Sequence, residues 1–283
     1  ASNGCVLMAK RGMMDQYMDI KAEHPDSVLF FRMGDFYEQF HDDAVVASEV
    51  LGLALTSRDK KAAEPIPMAG FPWHQLEENL RLMLRAGYKV TVAEQEEELR
   101  EGAKLLERVV TRIYTPGSLY EESLIGSDAS ALLCSLLVTD ESTAIAMIDA
   151  STGQAWAVAF KGEGRWASLY DEIMRWNPSE LVVSPRDAEC SEFLHLLGML
   201  DSVVVSQHSV QPKRANERLK AMLEVNDLGH LDLGQSPEAL EATALAADYL
   251  ASVHRHDDIA IRDVEIQETS EGMVLDQTTL RNL

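Results

Sequence analysis

The sequence predicts a mixed α/β protein with two compact units and a fragment of a third, on three observations. Its 283 residues suffice for two domains of ordinary size. Helix-like periodicity alternates with short apolar runs, and from residue 131 three such runs follow one another before helices and strands alternate. Proline and glycine within residues 115–118 give the clearest break between the two regions.

In the first region, apolar spacing predicts helices over residues 13–24, 42–51 and 74–86. Apolar, aromatic and β-branched runs predict strands over 28–33, 36–40, 53–58, 89–94 and 109–114. Residues 66–72 contain two prolines and a glycine and are predicted to form a loop. Residues 96–108 are charged and free of proline, so both helix and loop stay open there.

In the second region, a polar linker near residues 120–128 precedes predicted strands over 131–138, 143–149 and 154–160, with a hairpin turn at 151–153. Two further strands are predicted over 181–184 and 203–206, alternating with helices over 166–176, 187–199 and 215–223. A long Ala- and Leu-rich helix is predicted over 237–253, and 259–283 resembles the start of a further element.

Charge is spread unevenly along the chain, whose formal net charge is −22. Residues 1–116 carry 14 basic and 19 acidic side chains, whereas residues 117–283 carry 11 and 28. Because phosphate contacts need Lys and Arg, this balance disfavours a strong generic DNA binder but permits one basic face on the first region. Three scattered cysteines predict neither a disulfide framework nor a metal site and fit a reducing cytoplasm. No apolar run reaches the length of a membrane-spanning helix, so no membrane partner is expected.

Patterns of catalysis are absent from the sequence. It contains neither a phosphate-binding Gly-x-x-x-x-Gly-Lys-Ser/Thr loop nor a Gly-x-Ser-x-Gly elbow. His254 and His256, followed by two aspartates, are interpreted as an exposed polar turn after a helix, since no third metal ligand lies at a supporting spacing. Asp149 and Asp171 are interpreted as solvated acids and not as a magnesium-binding pair of a nuclease.

The most informative stretch covers residues 30–40, which reads Phe-Phe-Arg-Met-Gly-Asp-Phe-Tyr-Glu-Gln-Phe. Strand alternation places Phe36 and Glu38 on one side and Tyr37 on the other. A β-hairpin with aromatic core residues is the ordinary interpretation of such a stretch. A core would exclude the carboxylate, however, and a solvated face would exclude the ring. A wedge that stacks into DNA while a carboxylate bonds a base edge accommodates both.

Residues 32–38 resemble the mismatch-probing motif of the MutS family, whose core is Phe-x-Glu. Further segments resemble the same family in order and spacing over about residues 13–283. They lie at residues 13–17, 55–58, 65–74, 109–117, 148–153, 177–181 and 273–283. The chain departs from the family at residues 98–102, where an acidic-Pro pair is common. It also has Trp73 where Tyr is common, and its second region is unusually acidic.

The resemblance implies four regions: a mismatch-recognition domain over 1–116, a linker over 117–124, an RNase H-like connector over 125–247 and the start of a helical lever/core domain over 248–283. It also implies that the chain is a fragment, without the family's clamp and ATPase. No enzymatic activity and no cofactor are therefore expected here, although the full-length family uses ATP and magnesium.

The resemblance further implies that Phe36 stacks on a mispaired base and Glu38 bonds its edge. Met33, Gly34, Asp35, Arg58, Pro67 and Met68 would line the groove or hold the DNA backbone, although Met33 and Met68 are equally compatible with packing. The expected partners are mismatched double-stranded DNA, a MutL-type protein at the connector and, in the full-length family, a second copy. The expected location is the bacterial cytoplasm, with the nucleoid. Two alternatives remain: a protein-interaction fragment whose acidic connector docks the MutL-type partner, and, less favoured, an RNase H-like nuclease.

Overall fold

The computed structural model describes residues 12–58, 64–96, 106–118, 132–200, 203–228, 236–254 and 261–266. The chain divides into two compact units, Ala1–Tyr114 and Thr115–Leu283, each with one six-stranded mixed sheet. The predicted mixed α/β class is therefore confirmed. Over these described ranges, no helix combines the length and apolarity needed to cross a membrane.

The first unit begins with helix α1 and a β-hairpin, and its sheet has the order β3-β4-β2-β1-β5-β6. Strand β1 runs parallel to β5 and antiparallel to β2, so the hairpin lies in the middle of the sheet. A single 3-10 turn, Trp73–Gln75, follows β4. The elements are α1 (Met13–Glu23), β1 (Ser27–Met33), β2 (Phe36–Phe40), α2 (Asp42–Leu51), β3 (Thr56–Arg58), β4 (Ile66–Pro72), α3 (Leu76–Arg85), β5 (Lys89–Gln95) and β6 (Arg108–Tyr114).

The loop predicted over residues 66–72 is wrong, because these residues form strand β4 between β2 and β3. Pro67 is tolerated there for a geometric reason. Its carbonyl accepts the His41 N–H at 3.1 Å, just beyond the end of β2. In an antiparallel ladder the nitrogen of a residue faces the same neighbour as its carbonyl, so the missing N–H of Pro67 also falls beyond β2. Strand β3 is shorter than predicted, and most of the open stretch 96–108 lies outside the described residues.

The two faces of this sheet have separate aromatic cores. On one face, α1 contributes Met13 and Tyr17, which pack with Phe31 and Phe40. The buried Tyr17 hydroxyl donates to Asp43 at 2.8 Å, and Lys21 pairs with the same carboxylate at 2.8 Å. On the other face, three rings from β1, β2 and β4 contact one another: Phe30, Tyr37 and Phe71. Phe36 lies on the same face of the sheet as α1 but is exposed, because α1 does not cover it.

The second unit has the sheet order β11-β10-β7-β8-β9-β12. Strands β7 to β9 form an antiparallel meander, and β10 and β11 add in parallel on the other side of β7. The elements are β7 (Leu132–Val138), β8 (Ser142–Asp149), β9 (Gln154–Lys161), α4 (Arg165–Trp176), β10 (Glu180–Val183), α5 (Pro185–Ala188), α6 (Ser191–Leu197), β11 (Val204–Gln207), α7 (Pro212–Met222), α8 (Pro237–Val253) and β12 (Asp263–Ile266).

Helices cover both faces of the second sheet. Leu169 and Ile173 of α4 and Phe193 of α6 pack with one face, and Ala239 and Ala242 of α8 pack with alanines of the other. The helix predicted over 187–199 is two short helices, because the backbone of Cys190 is extended and interrupts the helix before α6 begins.

Two expected boundaries need correction. The described start of the expected linker, Gly117 and Ser118, is buried in the second unit, where Glu180 accepts the Gly117 N–H at 3.1 Å. Helix α8 crosses the boundary expected at residue 247, and β12 pairs with β9. The described part of 248–266 therefore completes the second unit and does not begin a helical core. Residues 267–283 lie outside the described residues.

The prediction that His254 lies in an exposed polar turn is also wrong. His254 is buried at the end of α8, and its Nε2 lies 2.7 Å from the Ser118 carbonyl oxygen. This contact ties the end of the helix to the buried turn that opens the second unit. His256 and the two aspartates after it lie outside the described residues.

Candidate nucleic-acid interface

The turn between β1 and β2 forms the most exposed part of the hairpin. Gly34 has a φ of +59°, a left-handed conformation that a side chain strains, although an added Cβ would meet nothing within 4 Å. Three contacts hold the turn: Arg32 Nε donates to the Gly34 carbonyl at 2.5 Å, the Gly34 N–H faces Gln95 at 3.4 Å, and the Trp73 N–H donates to the Asp35 carbonyl at 2.9 Å.

Phe36 and Glu38 follow this turn on one face of β2, as alternation predicts. Phe36 is 46% exposed, whereas Tyr37 between them is buried. In the sheet register Phe36 lies between Met33 and Pro72, and Glu38 lies between Phe31 and Gly70. An exposed aromatic ring therefore stands two residues from a carboxylate on the same surface.

The Glu38 carboxyl is partly buried, and no described residue donates a hydrogen bond to it. Burial raises its pKa, and the charge of Arg58 opposes this shift. Gly70 on the neighbouring strand leaves room for the Glu38 side chain. A Cβ there would lie 3.4 Å from Glu38 Cγ and 3.0 Å from the Tyr37 carbonyl oxygen. The result is a carboxyl with unused hydrogen-bonding capacity beside an exposed ring.

The other residues expected at the site lie in three places. Met33, Gly34 and Asp35 lie at the turn beside Phe36, and Met33 also packs partly against the Phe31–Phe40 core. Pro67 and Met68 lie toward the other end of β2, where Met68 pairs with Phe40. Arg58 lies on the strand after next, with its guanidinium carbon 5.8 Å from the Phe40 ring centroid. The structure thus joins Arg58 to Glu38 through charge, but separates Pro67 and Met68 from Phe36.

Two residues that were not predicted from sequence support the turn from β5 and β6, strands that are distant from it along the chain. The buried Arg108 donates to the Arg32 carbonyl and to the Gln95 side chain, both at 3.2 Å. Its guanidinium carbon lies 5.4 Å from the Phe31 ring centroid, and burial lowers the pKa of Arg108. Local sequence carries no signal for this support, because Arg108 reaches the hairpin only through the β5–β6 pairing.

The second unit presents a different surface, a cleft of about 610 Å³ between α4 and α6. Trp166, Tyr170 and Met199 line it, with Asp171 and Glu192 among its polar residues. Met174, Leu194 and Met199 on the same two helices and the turn after them are exposed. The cleft combines apolar surface with carboxylates.

The two acids considered for a nuclease lie in different surroundings. Asp149 accepts the N–H and the hydroxyl of Ser151, at 2.9 and 2.6 Å, and so caps the β8–β9 turn. Asp171 lies at the α4–α6 cleft. Across the described ranges, no group of three or more His, Cys, Asp or Glu side chains could hold a metal ion.

Comparison with known proteins gives matches along most of the chain. Residues 11–123 match the family model described as MutS domain I, and residues 131–262 match MutS domain II. The chain is 35% identical to the DNA mismatch repair protein MutS of Myxococcus xanthus, over 96% of this chain and 30% of that protein. It is 32% identical to the MutS of Syntrophomonas wolfei, over 96% of this chain and 32% of that protein.

The chain thus spans about a third of the length of these curated relatives. Among solved structures, a Fowlpox virus resolvase in complex with Holliday junction DNA aligns with 43% of this chain and 97% of the resolvase chain. The TM-score is 0.32 at 15% identity, which is too low to support an inference.

Proposed function

This chain belongs to the MutS family, and we propose that its first unit recognises mispaired bases in double-stranded DNA. The observation that carries the proposal is the exposed Phe36 ring next to a Glu38 carboxyl with unused hydrogen-bonding capacity. The ring stacks on one base of the mispair and enters the duplex as an apolar wedge. Stacking on an aromatic ring contributes about 1–3 kcal/mol per base and tolerates any base.

Discrimination comes from the DNA more than from the protein. A mispaired step is poorly stacked before binding, so kinking it costs less free energy than kinking a paired step. The wedge therefore binds a mispair more tightly without reading its sequence. Because residues 1–116 carry 14 basic and 19 acidic side chains, the full chain binds DNA weakly by itself and relies on this difference.

Glu38 contributes a hydrogen bond at the edge of the base that Phe36 displaces. A carboxylate near phosphates is repelled, whereas a neutral carboxyl can donate to the base. The raised pKa of Glu38 favours the neutral form, and the phosphates of bound DNA raise that pKa further. No catalytic step is proposed for this chain.

The test compares binding of the full chain to two duplexes that differ in one base pair, one matched and one with a mispair. Phe36→Ala removes the preference for the mispaired duplex, because the stacking partner is lost. Tyr88→Ala is the matched control: it removes another exposed aromatic ring, beside the opposite end of β1, and leaves the preference intact. An equal preference in wild type and Phe36→Ala would refute the proposal.

A second candidate function, docking of a MutL-type protein, rests on the α4–α6 cleft of the second unit. Its apolar lining, which includes the exposed Met199, suits a protein partner, and its carboxylates and the net acidity of residues 117–283 repel DNA. Met199→Glu places a charge in the cleft and abolishes this docking without changing the binding of mispaired DNA. Docking that is unaffected by Met199→Glu would remove the cleft from consideration.

A further inference from the structure

Arg32 and Trp73 form a second surface at the same turn, on the opposite face of the hairpin from Phe36. In the register of β1 and β2, Arg32 pairs with Tyr37 and Met33 pairs with Phe36. Arg32 and Phe36 therefore point to opposite sides of the hairpin end. Trp73 follows β4 directly, and its backbone is bonded to Asp35 in the turn.

The Arg32 guanidinium is held by aromatic rings. Its central carbon lies 5.3 Å from the Tyr37 ring centroid and 5.3 Å from the Trp73 ring centroid. Its Nε donates to the Gly34 carbonyl at 2.5 Å. Among the residues that the structure describes, no carboxylate forms an ion pair with it. Cation–π contacts and one carbonyl thus hold the group in place without a direct ion pair, and the Tyr37 hydroxyl beside it donates to the Glu94 carboxylate.

The other arginines around the hairpin are engaged differently. Arg58 acts on Glu38, and Arg108 is buried with its N–H groups bonded to Arg32, Leu106 and Gln95. Arg32 is partly exposed, and the Trp73 ring beside it is 51% exposed. A fixed, partly exposed guanidinium next to an exposed ring matches what a phosphodiester backbone needs: a charged fork for the phosphate and an apolar surface for the sugar.

We propose that Arg32 and Trp73 contact the sugar-phosphate backbone of the DNA strand that flanks the site entered by Phe36. The inference rests on the proposed DNA binding of the first unit, and gives Arg32 and Trp73 a role separate from that of Phe36. A hairpin end in a widened minor groove has bases in front of it and a phosphate strand beside it. Phe36 contacts the bases, and the Arg32–Trp73 pair contacts the phosphate strand without reading its sequence.

The test measures binding of the full chain to matched and mispaired duplexes over a salt series. Arg32→Gln weakens binding to both duplexes by a similar factor, about tenfold, and lowers the magnitude of the slope of log K against log salt by about 1, because one phosphate contact is lost. Arg32→Lys keeps the charge and retains most of the slope. Trp73→Ala weakens both duplexes, and Trp73→Phe restores part of the affinity.

Several outcomes would overturn the inference. An unchanged salt slope in Arg32→Gln excludes a phosphate contact, provided that far-ultraviolet circular dichroism and the unfolding midpoint match those of wild type. If Arg32→Gln does not fold, undiminished affinity of Trp73→Ala for both duplexes would refute it equally. Loss of binding to the mispaired duplex alone would assign Arg32 to positioning Phe36.

The failure of this inference is distinguishable from failure of the proposed function. If the wild-type chain binds both duplexes equally, mismatch recognition fails, yet a change of salt slope in Arg32→Gln still supports the backbone contact. If Phe36→Ala loses the preference while Arg32→Gln changes neither slope nor affinity, recognition stands and the backbone contact is refuted.

Discussion

Each unit contains a glutamate on an inner strand of its sheet, and the two differ in how their hydrogen-bonding capacity is used. Glu180 is fully buried, and its oxygens accept hydrogen bonds from Ser206, from Tyr249 at 2.5 Å and from the Gly117 N–H at 3.1 Å. Glu38 is partly buried beside the exposed Phe36 and accepts no hydrogen bond from the described residues.

This difference separates a structural carboxyl from one that is available to a ligand. Every oxygen of Glu180 is occupied by a buried donor, so nothing remains for a partner molecule to bind. The hydroxyl of Tyr249 is part of the same network, where burial and then the adjacent Glu180 raise its pKa. Glu38 pays part of the desolvation cost of burial without internal donors, a state that a base edge could relieve.

The largest effect is expected when the Glu180 network is broken. Glu180→Ala leaves buried donors on Ser206, Tyr249 and Gly117 without an acceptor and lowers the free energy of unfolding of the second unit by about 3 kcal/mol or more. Denaturant titration followed by circular dichroism measures it. The counterpart Glu38→Gln changes stability by less than about 1 kcal/mol, since no internal hydrogen bond is lost. Similar losses in both variants would contradict the comparison.

A smaller loss of stability is expected at Gly117, where the buried turn approaches Glu180. An added Cβ would lie 2.7 Å from Glu180 Cβ and 3.1 Å from Leu133 Cδ1. Gly117→Ala therefore destabilises the second unit by about 1–3 kcal/mol through overpacking. Gly164→Ala is the control, because an added Cβ there meets nothing within 4 Å. Equal unfolding midpoints for the two variants would show that the turn yields without cost.

The pH dependence of mispair binding tests whether the Glu38 carboxyl, unlike that of Glu180, interacts with a ligand. Burial raises the pKa of Glu38 in the folded chain, and bound DNA raises it further, so the neutral form is favoured in the complex. Affinity is then highest below the pKa of free Glu38 and falls as pH rises through the pKa in the complex. Glu38→Gln removes this dependence, as binding titrations between about pH 4 and 8 would measure. A profile that is the same in Glu38→Gln would assign the titration to another group.

The smallest effect concerns Arg58, whose charge opposes the raised pKa of Glu38. Arg58→Gln removes that charge and moves the pKa of Glu38 upward, so the fall in mispair affinity occurs at higher pH. The shift is expected to be small, because the two groups are partly exposed and solvent screens their interaction. In the double variant with Glu38→Gln, Arg58→Gln should produce no such shift.

Local pattern was sufficient for most elements. Alternation and periodicity predicted α1, both strands of the hairpin, the β7–β9 meander and the long α8 with bounds close to those observed. It failed at β4, where Pro67 and Pro72 indicated a loop. Proline is compatible with a strand when its missing N–H faces no partner, and this depends on where β2 ends, which local pattern does not contain.

For the candidate site, the prediction from sequence that Phe36 and Glu38 share a face needed only strand alternation, because that geometry is local to a few residues. The surroundings of the two side chains depend on strand pairing and could not be predicted from sequence. Gly70 lies opposite Glu38, Arg58 acts on it from a third strand, and Arg108 supports the turn from β6. Tertiary structure also accounts for the internal donors that occupy both oxygens of Glu180. These relations join residues distant along the chain, so strand pairing and burial establish them, and local periodicity cannot.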